Sequence, residues 1–278
     1  MRLFLCLLSS LLLTSLSAQR TVTGRVVDAT NDPPIAFATV SAPGESGGAY
    51  TNDDGSFTLP LAGDSLVITS LGYQVLRTPV GTNAAIYQLQ PRAYLTEEVV
   101  VTQPKKLRKE KFGNSKHSFS AYSGWWGTVV VRHVGKEFTE NGLLRKAVFR
   151  LDMDGNKCEV FARVRVLTND NGRPGTDLIN ETVLVRIRGG KNKYEVDLEG
   201  YKIDFPPGGL FVGVEFMRPA EVCANVDVDD KRFYVMVNKS TEPLTFLQRN
   251  YGKGSWSSFT MLRKKIVHNA RFSVEIGY

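Results

Sequence analysis

The residues of this sequence that could do chemistry begin with its three histidines. His117, His133 and His268 stand far apart, and none is followed by Glu at the third position, which is the spacing of a zinc peptidase. His133 has Glu137 at the fourth position instead. No set of nucleophile, general base and metal ligands comes together in the sequence. We therefore expect a protein that is not an enzyme and that uses no cofactor and no catalytic metal.

Acidic residues provide two alternatives to that expectation. The densest group is Asp227, Asp229 and Asp230, which is typical of a turn before a strand. These acids, or Asp152 with Asp154, could supply oxygen ligands for a structural calcium ion. A hydrolase acting on envelope polysaccharide would instead need two facing carboxylates. The sequence does not show which acids come close together in space. A structural calcium site and a polysaccharide hydrolase therefore both remain alternatives.

Four aromatic residues form the predicted ligand-binding set: Trp125, Trp126, Tyr251 and Trp256. Aromatic faces stack on sugar rings as they do on other apolar faces. Trp125 and Trp126 are adjacent, so on a strand they would point to opposite faces and at most one would be core. Tyr251 and Trp256 lie in the loop NYGKGSWSS, and loops of this composition often carry ligand contacts. The alternative is that these residues are core aromatics and a lid.

The start of the chain predicts export. Arg2 is followed by the apolar run Leu3–Leu13 and by small residues up to Ala18, so residues 1–18 read as a signal peptide. No later segment reads as a transmembrane helix. The chain has 35 basic and 28 acidic residues, a net charge of +7. Because export argues against nucleic acid, we expect a glycan or an envelope protein as the partner, in the periplasm or at the outer-membrane surface.

Two cysteines follow the signal peptide, and an oxidising compartment permits a disulfide between Cys158 and Cys223. Cys158 shares a strand face with Val160 and Val164, a face expected to be core, and a free cysteine is common there. Sequence spacing does not show whether the two α-carbons come close enough for a bridge. The disulfide and the two free thiols therefore both remain open.

The elements that must position these residues are β-strands. Before residue 91 the sequence contains about seven short alternating segments, separated by Gly, Pro, Asn and Asp, as in a small β-sandwich. Asp53-Asp54-Gly55 between two such segments predicts a hairpin turn rather than a calcium loop. From Tyr122 about nine more strands follow, with turn signals between them, as in a jelly-roll-like antiparallel domain.

The composition changes most clearly over residues 103–120, where five basic residues lie between Lys105 and Lys111. This pattern predicts a solvated linker with a possible helical turn, and the alternative is a hinge that touches an anionic surface such as lipopolysaccharide or phospholipid headgroups. The predicted organisation is therefore a signal peptide (1–18), a β-sandwich (19–102), a basic linker (103–120) and a second β-sandwich (121–278). The predicted fold class is all-β, a seven-stranded sandwich followed by an antiparallel jelly-roll-like one.

Residues 21–90 contain the stretches GRVVDATNDPPIAFATVSAPG, AYTNDDGSFTL and LVITSLGYQ. Together these stretches resemble the carboxypeptidase regulatory-like domain, which implies a transthyretin-like β-sandwich that serves as an accessory module. Their markers are Gly24, Val26, Asp28, Pro34, Ala38, Val40, Thr51, Asp53, Gly55, Phe57, Gly72 and Tyr73.

The next stretch, LTEEVVVTQ, looks like the junction that follows such a domain in TonB-dependent receptors. Further along, the stretches RVRVLTNDNGRPGTDLINE and YEVDLEGYKIDFPPGGLFVGVEFM resemble a jelly-roll second domain found behind such sandwiches in secreted proteins of Gram-negative bacteria. We therefore expect a non-catalytic, exported cell-envelope protein that binds glycan or a partner protein or acts as a scaffold. This expectation has two alternatives, the envelope polysaccharide hydrolase and a fragment-like relative of an outer-membrane receptor.

Overall fold

A computed structural model describes residues 20–81, 85–92, 109–113, 120–153, 160–190, 192–217, 233–261 and 266–278. In this part of the chain the regular structure consists of β-strands and one short 3-10 turn, Glu199–Tyr201. The predicted all-β fold is therefore confirmed. None of the described residues belongs to a helix with the length and apolar character needed to cross a membrane.

The first domain is a sandwich of two sheets. One sheet has the strand order β4-β1-β7 and the other β3-β2-β5-β6. β1 and β7 run parallel, and the remaining neighbours are antiparallel. The seven strands are β1 (Arg20–Asp28), β2 (Thr39–Ser41), β3 (Gly48–Tyr50), β4 (Ser56–Leu61), β5 (Ser65–Thr69), β6 (Leu76–Pro79) and β7 (Ala85–Leu89).

Alternate residues of these strands build the core of the first domain. Val26, Val40 and Phe57, which the sequence predicts to point inward, are all buried. Along β4 the buried residues Phe57, Leu59 and Leu61 alternate with exposed ones. Because successive side chains of a strand point to opposite faces, this period of two separates the core from solvent.

The turn at Asn52–Gly55 forms, but it is not the predicted hairpin. The Gly55 N–H donates to the Asn52 carbonyl at 2.9 Å, and the Asn52 N–H donates to the Ser56 carbonyl at 2.8 Å. Gly55 has φ +80°, and a Cβ there would lie 2.4 Å from the Val26 carbonyl oxygen, so only glycine fits. The strands on either side, β3 and β4, belong to different sheets. A local turn signal specifies a chain reversal but not the sheet that the next strand joins.

The described residues of the second domain form three antiparallel sheets. Its strands are β8 (Lys109–Gly113), β9 (Ser120–Gly124), β10 (Val129–Val134), β11 (Gly142–Phe149), β12 (Leu151–Met153), β13 (Val160–Asp170), β14 (Arg173–Asp177), β15 (Leu184–Ile187), β16 (Tyr194–Asp197), β17 (Asp204–Phe205), β18 (Leu210–Met217), β19 (Phe233–Ser240), β20 (Thr245–Gln248), β21 (Ser257–Ser258), β22 (Thr260–Met261), β23 (Ile266–Ala270) and β24 (Phe272–Gly277).

The largest sheet has the order β14-β13-β18-β10-β20-β21, with β15 also paired to β13. The second has the order β16-β11-β24-β8, with β17 on β11, and the third has the order β12-β19-β23-β22, with β9 on β19. All three contribute to one apolar core, which includes Val164 and Val214 of the largest sheet, Phe272 of the second and Phe233 of the third. The largest sheet therefore packs one face against the other two, as in a sandwich.

Part of the predicted linker is a strand of this domain. Residues 109–113 form β8, which pairs antiparallel with β24, so that Lys111 lies opposite Glu275. The Phe112 side chain is buried in the core, where it stacks on Phe205 at 6.0 Å between ring centroids. The helical turn considered for this segment is therefore wrong at 109–113. An edge strand needs only one apolar face, so the exposed Lys111 does not prevent pairing.

Candidate binding cleft between the domains

The outer face of the largest sheet carries the charges that meet the first domain. β13 points Val164 and Val166 toward the core, so Arg163 and Arg165 point to the other side. Glu215 lies directly opposite Arg163 on the neighbouring strand β18. The Arg163 and Glu215 side chains are only 4% and 3% exposed, because the first domain covers them.

Glu215 is the centre of a buried ionic cluster that contains residues of both domains. The Tyr50 hydroxyl of β3 donates to Glu215 Oε1 at 2.9 Å. Arg165 Nη1 donates to Glu215 Oε2 at 2.9 Å, and Arg163 Nη1 lies 3.7 Å from the same oxygen. Arg165 also holds Asp177 through two hydrogen bonds of 2.8 and 2.6 Å, the bidentate geometry of a strong pair.

This cluster sets the ionisation of its members. Burial alone would raise the pKa of Glu215, but the charges of Arg163 and Arg165 and the Tyr50 hydrogen bond outweigh it and lower that pKa. Glu215 is therefore ionised at neutral pH. Burial, together with the Glu215 charge, raises the pKa of the Tyr50 hydroxyl well above its ordinary value, so that hydroxyl keeps its proton and donates it.

Main-chain contacts tie the two domains together on either side of the cluster. Arg163 Nη2 donates to the Phe37 carbonyl, and Phe37 packs on Phe161 with ring centroids 5.9 Å apart. Lys253 Nζ donates to the Ala42 carbonyl at 2.8 Å. Phe37 has φ +59° and Tyr251 has φ +56°, both in the left-handed region that residues other than glycine seldom occupy. Strained backbone of this kind persists only where surrounding contacts hold it, and here both residues lie at the junction of the domains.

A cleft of about 350 Å³ opens beside this junction and is lined by both domains. From the second domain its wall includes Tyr251, whose ring also packs on Tyr50 with centroids 5.3 Å apart. Its other charged and polar lining residues are Thr39, Ser41, Thr69, Ser70, Tyr73, Arg92, Arg163, Arg165, Thr176, Asp177, Glu215, Gln248 and Lys253. Four bases and two acids line the cleft, so its summed formal charge is +2 (4 − 2).

The four aromatic residues predicted to bind ligand are not equivalent. Trp125 is 71% exposed, whereas Trp126 packs toward the core, 5.7 Å from Phe233 between centroids. Both lie in the turn between β9 and β10 rather than on the predicted strand. Trp256 packs against the buried patch of Val129, Val131, Leu167 and Phe211 on the outer face of the largest sheet. Of the four, only Tyr251 lines the cleft.

The turn that carries Trp125 lies against the Tyr251 loop. The Tyr251 N–H donates to the Gly127 carbonyl at 2.9 Å, and a Cβ on Gly127 would come within 2.8 Å of the Tyr251 ring. Gly48 of the first domain lies against the same ring, because a Cβ added to Gly48 would come within 2.7 Å of the Tyr251 ring. The Tyr251 ring therefore lies on glycine backbone of both domains, with Trp125 in the adjoining turn.

The two histidines in the described part of the chain, which the sequence did not predict to be catalytic, do not line the cleft. His133 and His268 are 7% and 4% exposed, and His133 stacks on Phe211 while its Nε2 lies 2.7 Å from the Gly208 carbonyl oxygen. Burial lowers the pKa of His133. The described residues contain no group of three or more His, Cys, Asp or Glu side chains that could hold a metal ion. His117, both cysteines of the considered disulfide (Cys158 and Cys223), and Asp154, Asp227, Asp229 and Asp230 lie outside the described residues.

Apart from Tyr251, sequence reasoning missed the residues that form the cleft and the ionic cluster beside it. Arg163, Asp177, Glu215 and Lys253 line the cleft, and Tyr50 donates a hydrogen bond to Glu215. These five residues come from four separate stretches of chain, and no local pattern joins them. One signal was present: Glu215 is the single charge in the otherwise apolar strand Leu210–Met217. A lone acid in a buried strand requires a buried partner, and Arg163 and Arg165 occupy alternate positions on the neighbouring strand.

Comparison with known proteins identifies the first domain. Residues 22–101 match the family of CarboxypepD_reg-like domains. The chain is also 28% identical over 211 residues to the TonB-dependent receptor SusC of Bacteroides thetaiotaomicron, an alignment covering 73% of this chain and 18% of the receptor. The chain thus spans about a fifth of the length of this relative.

Similarity to solved structures is distant. The cysteine protease and lectin-like domains of Cwp84, a surface layer associated protein of Clostridium difficile, align with a TM-score of 0.38 and 12% identity, over 59% of this chain and 37% of that one. A DUF3823 family protein from Bacteroides ovatus aligns with a TM-score of 0.21 and 11% identity, over 74% and 94% of the two chains. These scores carry no argument about function. The family match and the seven-stranded sandwich agree, and the first domain of this chain is a CarboxypepD_reg-like domain.

Proposed function

We propose that this chain is a non-catalytic binding protein of the cell envelope, and that the cleft between its two domains holds the ligand. The single observation that carries the proposal is that both domains contribute polar and charged side chains to one opening of about 350 Å³. Ligand sites are commonly concave and placed at domain interfaces. The ligand class we propose is a glycan or a polar segment of a partner protein.

The lining residues support a polar ligand of this kind. Tyr251 offers one aromatic wall, and Trp125 is exposed in the adjoining turn, so a sugar ring or a planar side chain could stack at this corner. Thr39, Ser41 and Gln248 supply neutral donors and acceptors around it. This surface combines stacking with hydrogen bonding, which is the chemistry that sugars require.

Two further observations support the envelope as the location. The sequence begins with a predicted signal peptide, and the chain is similar to part of a protein described as a TonB-dependent receptor. In this proposal the CarboxypepD_reg-like domain is an accessory module that forms one wall of the cleft. The second domain supplies the buried charges that hold the two walls in place.

The chemistry of the cleft favours binding over catalysis. A glycosidase needs one carboxyl group that keeps a proton near neutral pH, whereas arginine charges lower the pKa of Glu215. Asp177, the other acid of the lining, is held by two hydrogen bonds from Arg165. The stretch Gly44–Gly48 has glycine-x-serine-x-glycine spacing, but it joins β2 to β3 with an exposed Ser46 and not a strand to a helix.

The test is a glycan array and an envelope pull-down with residues 19–278, repeated on two matched variants. Thr176→Trp places a bulky ring at an exposed position of the cleft lining, and Thr58→Trp makes the same change on an exposed position of β4. We expect the first variant to lose binding at least about tenfold and the second to bind as the parent does. Equal binding by both variants would exclude the cleft, and release of product from a bound glycan would contradict the non-catalytic proposal.

A further inference from the structure

A second concave surface lies on the outer face of the sheet β16-β11-β24-β8, away from the residues that form the cleft. It is a groove of about 300 Å³. We call it the basic groove, and its polar lining residues are Lys111, Lys146, Arg150, Lys193, Glu195, Arg271, Ser273 and Glu275. None of these residues lines the cleft described above, so this inference is independent of the proposed function.

Strand alternation explains why so many bases meet here. Phe112, Ala147, Phe149 and Phe272 point from β8, β11 and β24 into the core, so the residues next to them point outward. The register then aligns three strands, with Glu275 of β24 opposite both Lys111 and Lys146. The basic residues thus converge from four neighbouring strands and their ends on one patch of the sheet.

The charge of the basic groove is strongly unbalanced. Five bases and two acids line it, which gives a summed formal charge of +3 (5 − 2). Glu195 is shared between two of the bases, since Lys146 Nζ lies 3.2 Å from its Oε2 and Lys193 contacts its Oε1. The Arg150 side chain donates to the Asn192 amide oxygen at 3.0 Å, and this neutral acceptor orients the guanidinium without cancelling its charge.

The most buried base of the groove is Arg271, which is 6% exposed. Desolvation, followed by the neighbouring positive charge of Arg150, lowers the pKa of Arg271. The positive charges of Arg150 and Arg271 repel each other at a site that is partly shielded from water, and an anion bound in the groove would reduce that repulsion.

We propose that the basic groove binds a phosphate group. Arginine guanidinium groups match the geometry of phosphate oxygens, and lysine ammonium groups add charge without directional constraint. The Ser273 hydroxyl in the lining provides a neutral donor. A summed charge of +3 is balanced better by a doubly charged phosphate than by a single carboxylate. The phosphate could belong to a soluble phosphomonoester or to the headgroup of an envelope lipid.

The first measurement uses inorganic phosphate as the probe and the mature chain, residues 19–278, as the protein. Binding is followed by isothermal titration and by the thermal unfolding midpoint, at low and at high sodium chloride. We expect binding that weakens as salt rises, because partly exposed charges are screened. Absence of any phosphate binding at low salt would overturn the proposal.

Matched variants separate the groove from general surface charge. The double variant Arg150→Gln/Lys193→Gln removes two bases of the groove, whereas Arg77→Gln/Lys239→Gln removes two exposed bases elsewhere. We expect the first pair to weaken phosphate binding by at least about tenfold and the second to change it little. Glu195→Gln removes an acid from the groove and is expected to strengthen binding. Equal losses in the two double variants, which would indicate an adventitious ion only, would overturn the proposal.

Vesicles identify the source of the phosphate. We would compare flotation with phosphatidylcholine vesicles and with the same vesicles containing phosphatidic acid. Binding to phosphatidic acid that the groove variant loses supports a lipid headgroup, and binding of free phosphate without vesicle binding supports a soluble phosphomonoester. Vesicle binding that the groove variant retains in full, together with unchanged phosphate affinity, would contradict the site.

Discussion

Removing the charge of Glu215 should destabilise the whole molecule, because this carboxylate holds the two domains together. The substitution Glu215→Gln keeps the size of the side chain but leaves Arg163, which is 4% exposed, without its acidic partner. Arg165 keeps its two hydrogen bonds to Asp177, so its charge stays compensated. Breaking a buried ion pair by removing one partner costs about 3–5 kcal/mol, and we expect about 3 kcal/mol because only one arginine is stranded.

The assay is equilibrium unfolding in urea near neutral pH, followed together by far-ultraviolet circular dichroism and tryptophan fluorescence. The control is Glu242→Gln, which removes an acid of an exposed pair with Lys136. We expect the control to retain the parental midpoint, since exposed pairs contribute little. We also expect the parent to unfold in one transition and Glu215→Gln to show two, because the domains would no longer depend on each other.

Lowering the pH should remove the difference in unfolding free energy between the parent and Glu215→Gln. The folded state lowers the pKa of Glu215 below its ordinary value of 4.5, so the unfolded chain binds this proton more readily. The stabilisation from this carboxylate is therefore complete above pH 4.5 and is lost as the pH falls through the folded-state pKa. Two results would refute the role assigned to Glu215. One is a difference in unfolding free energy between parent and Glu215→Gln that grows as the pH falls, and the other is a destabilisation by Glu215→Gln no larger than that by Glu242→Gln.

Three further predictions, two of them with a control variant, test the packing of the second domain. Gly213→Ala should prevent stable folding, because the added Cβ would lie 2.0 Å from the Val130 carbonyl oxygen. The control Gly47→Ala should fold, because a Cβ at Gly47 meets no atom within 4 Å. Soluble yield and circular dichroism compare the two variants. Trp126→Ala should destabilise by about 3 kcal/mol in urea unfolding because the ring packs on the core, and Trp125→Ala should change little because its side chain is 71% exposed. The pKa of His133, lowered by burial, should appear below 6.5 in an NMR titration, so stability should fall as the pH drops below 6.5 unless His133 is replaced by Asn.

The strand pattern of the sequence was sufficient to predict the all-β class and much of the core. Period-two alternation is a local property, so Val26, Val40 and Phe57 could be assigned to the inside before any pairing was known. The same reasoning misplaced β8, because its basic residues indicated a linker and only the distant strand β24 gives it a partner. It also treated the turn before β4 as a hairpin, since no local signal reports a change of sheet.

The cleft could not be predicted because its parts meet only through tertiary contacts. Tyr50 and Glu215 are hydrogen-bonded across 165 residues of sequence, and Lys253 reaches the Ala42 carbonyl across 211. Composition did indicate aromatic residues as candidates, and Tyr251 does line the cleft. It could not show that the Trp126 ring would face the core while its neighbour remained exposed.

The pairing of β8 with β24 has a consequence for how the second domain is assembled. These strands are separated by about 160 residues, so closing them carries a large entropic penalty and should come late in folding. Until β8 docks, β24 presents an open row of N–H and carbonyl groups beside a strand of alternating apolar residues. Such an edge is a template for wrong partners, including a second copy of the chain. A folding intermediate that lacks β8 is therefore the species in which we expect aggregation to begin, and the one that a chaperone would need to shield.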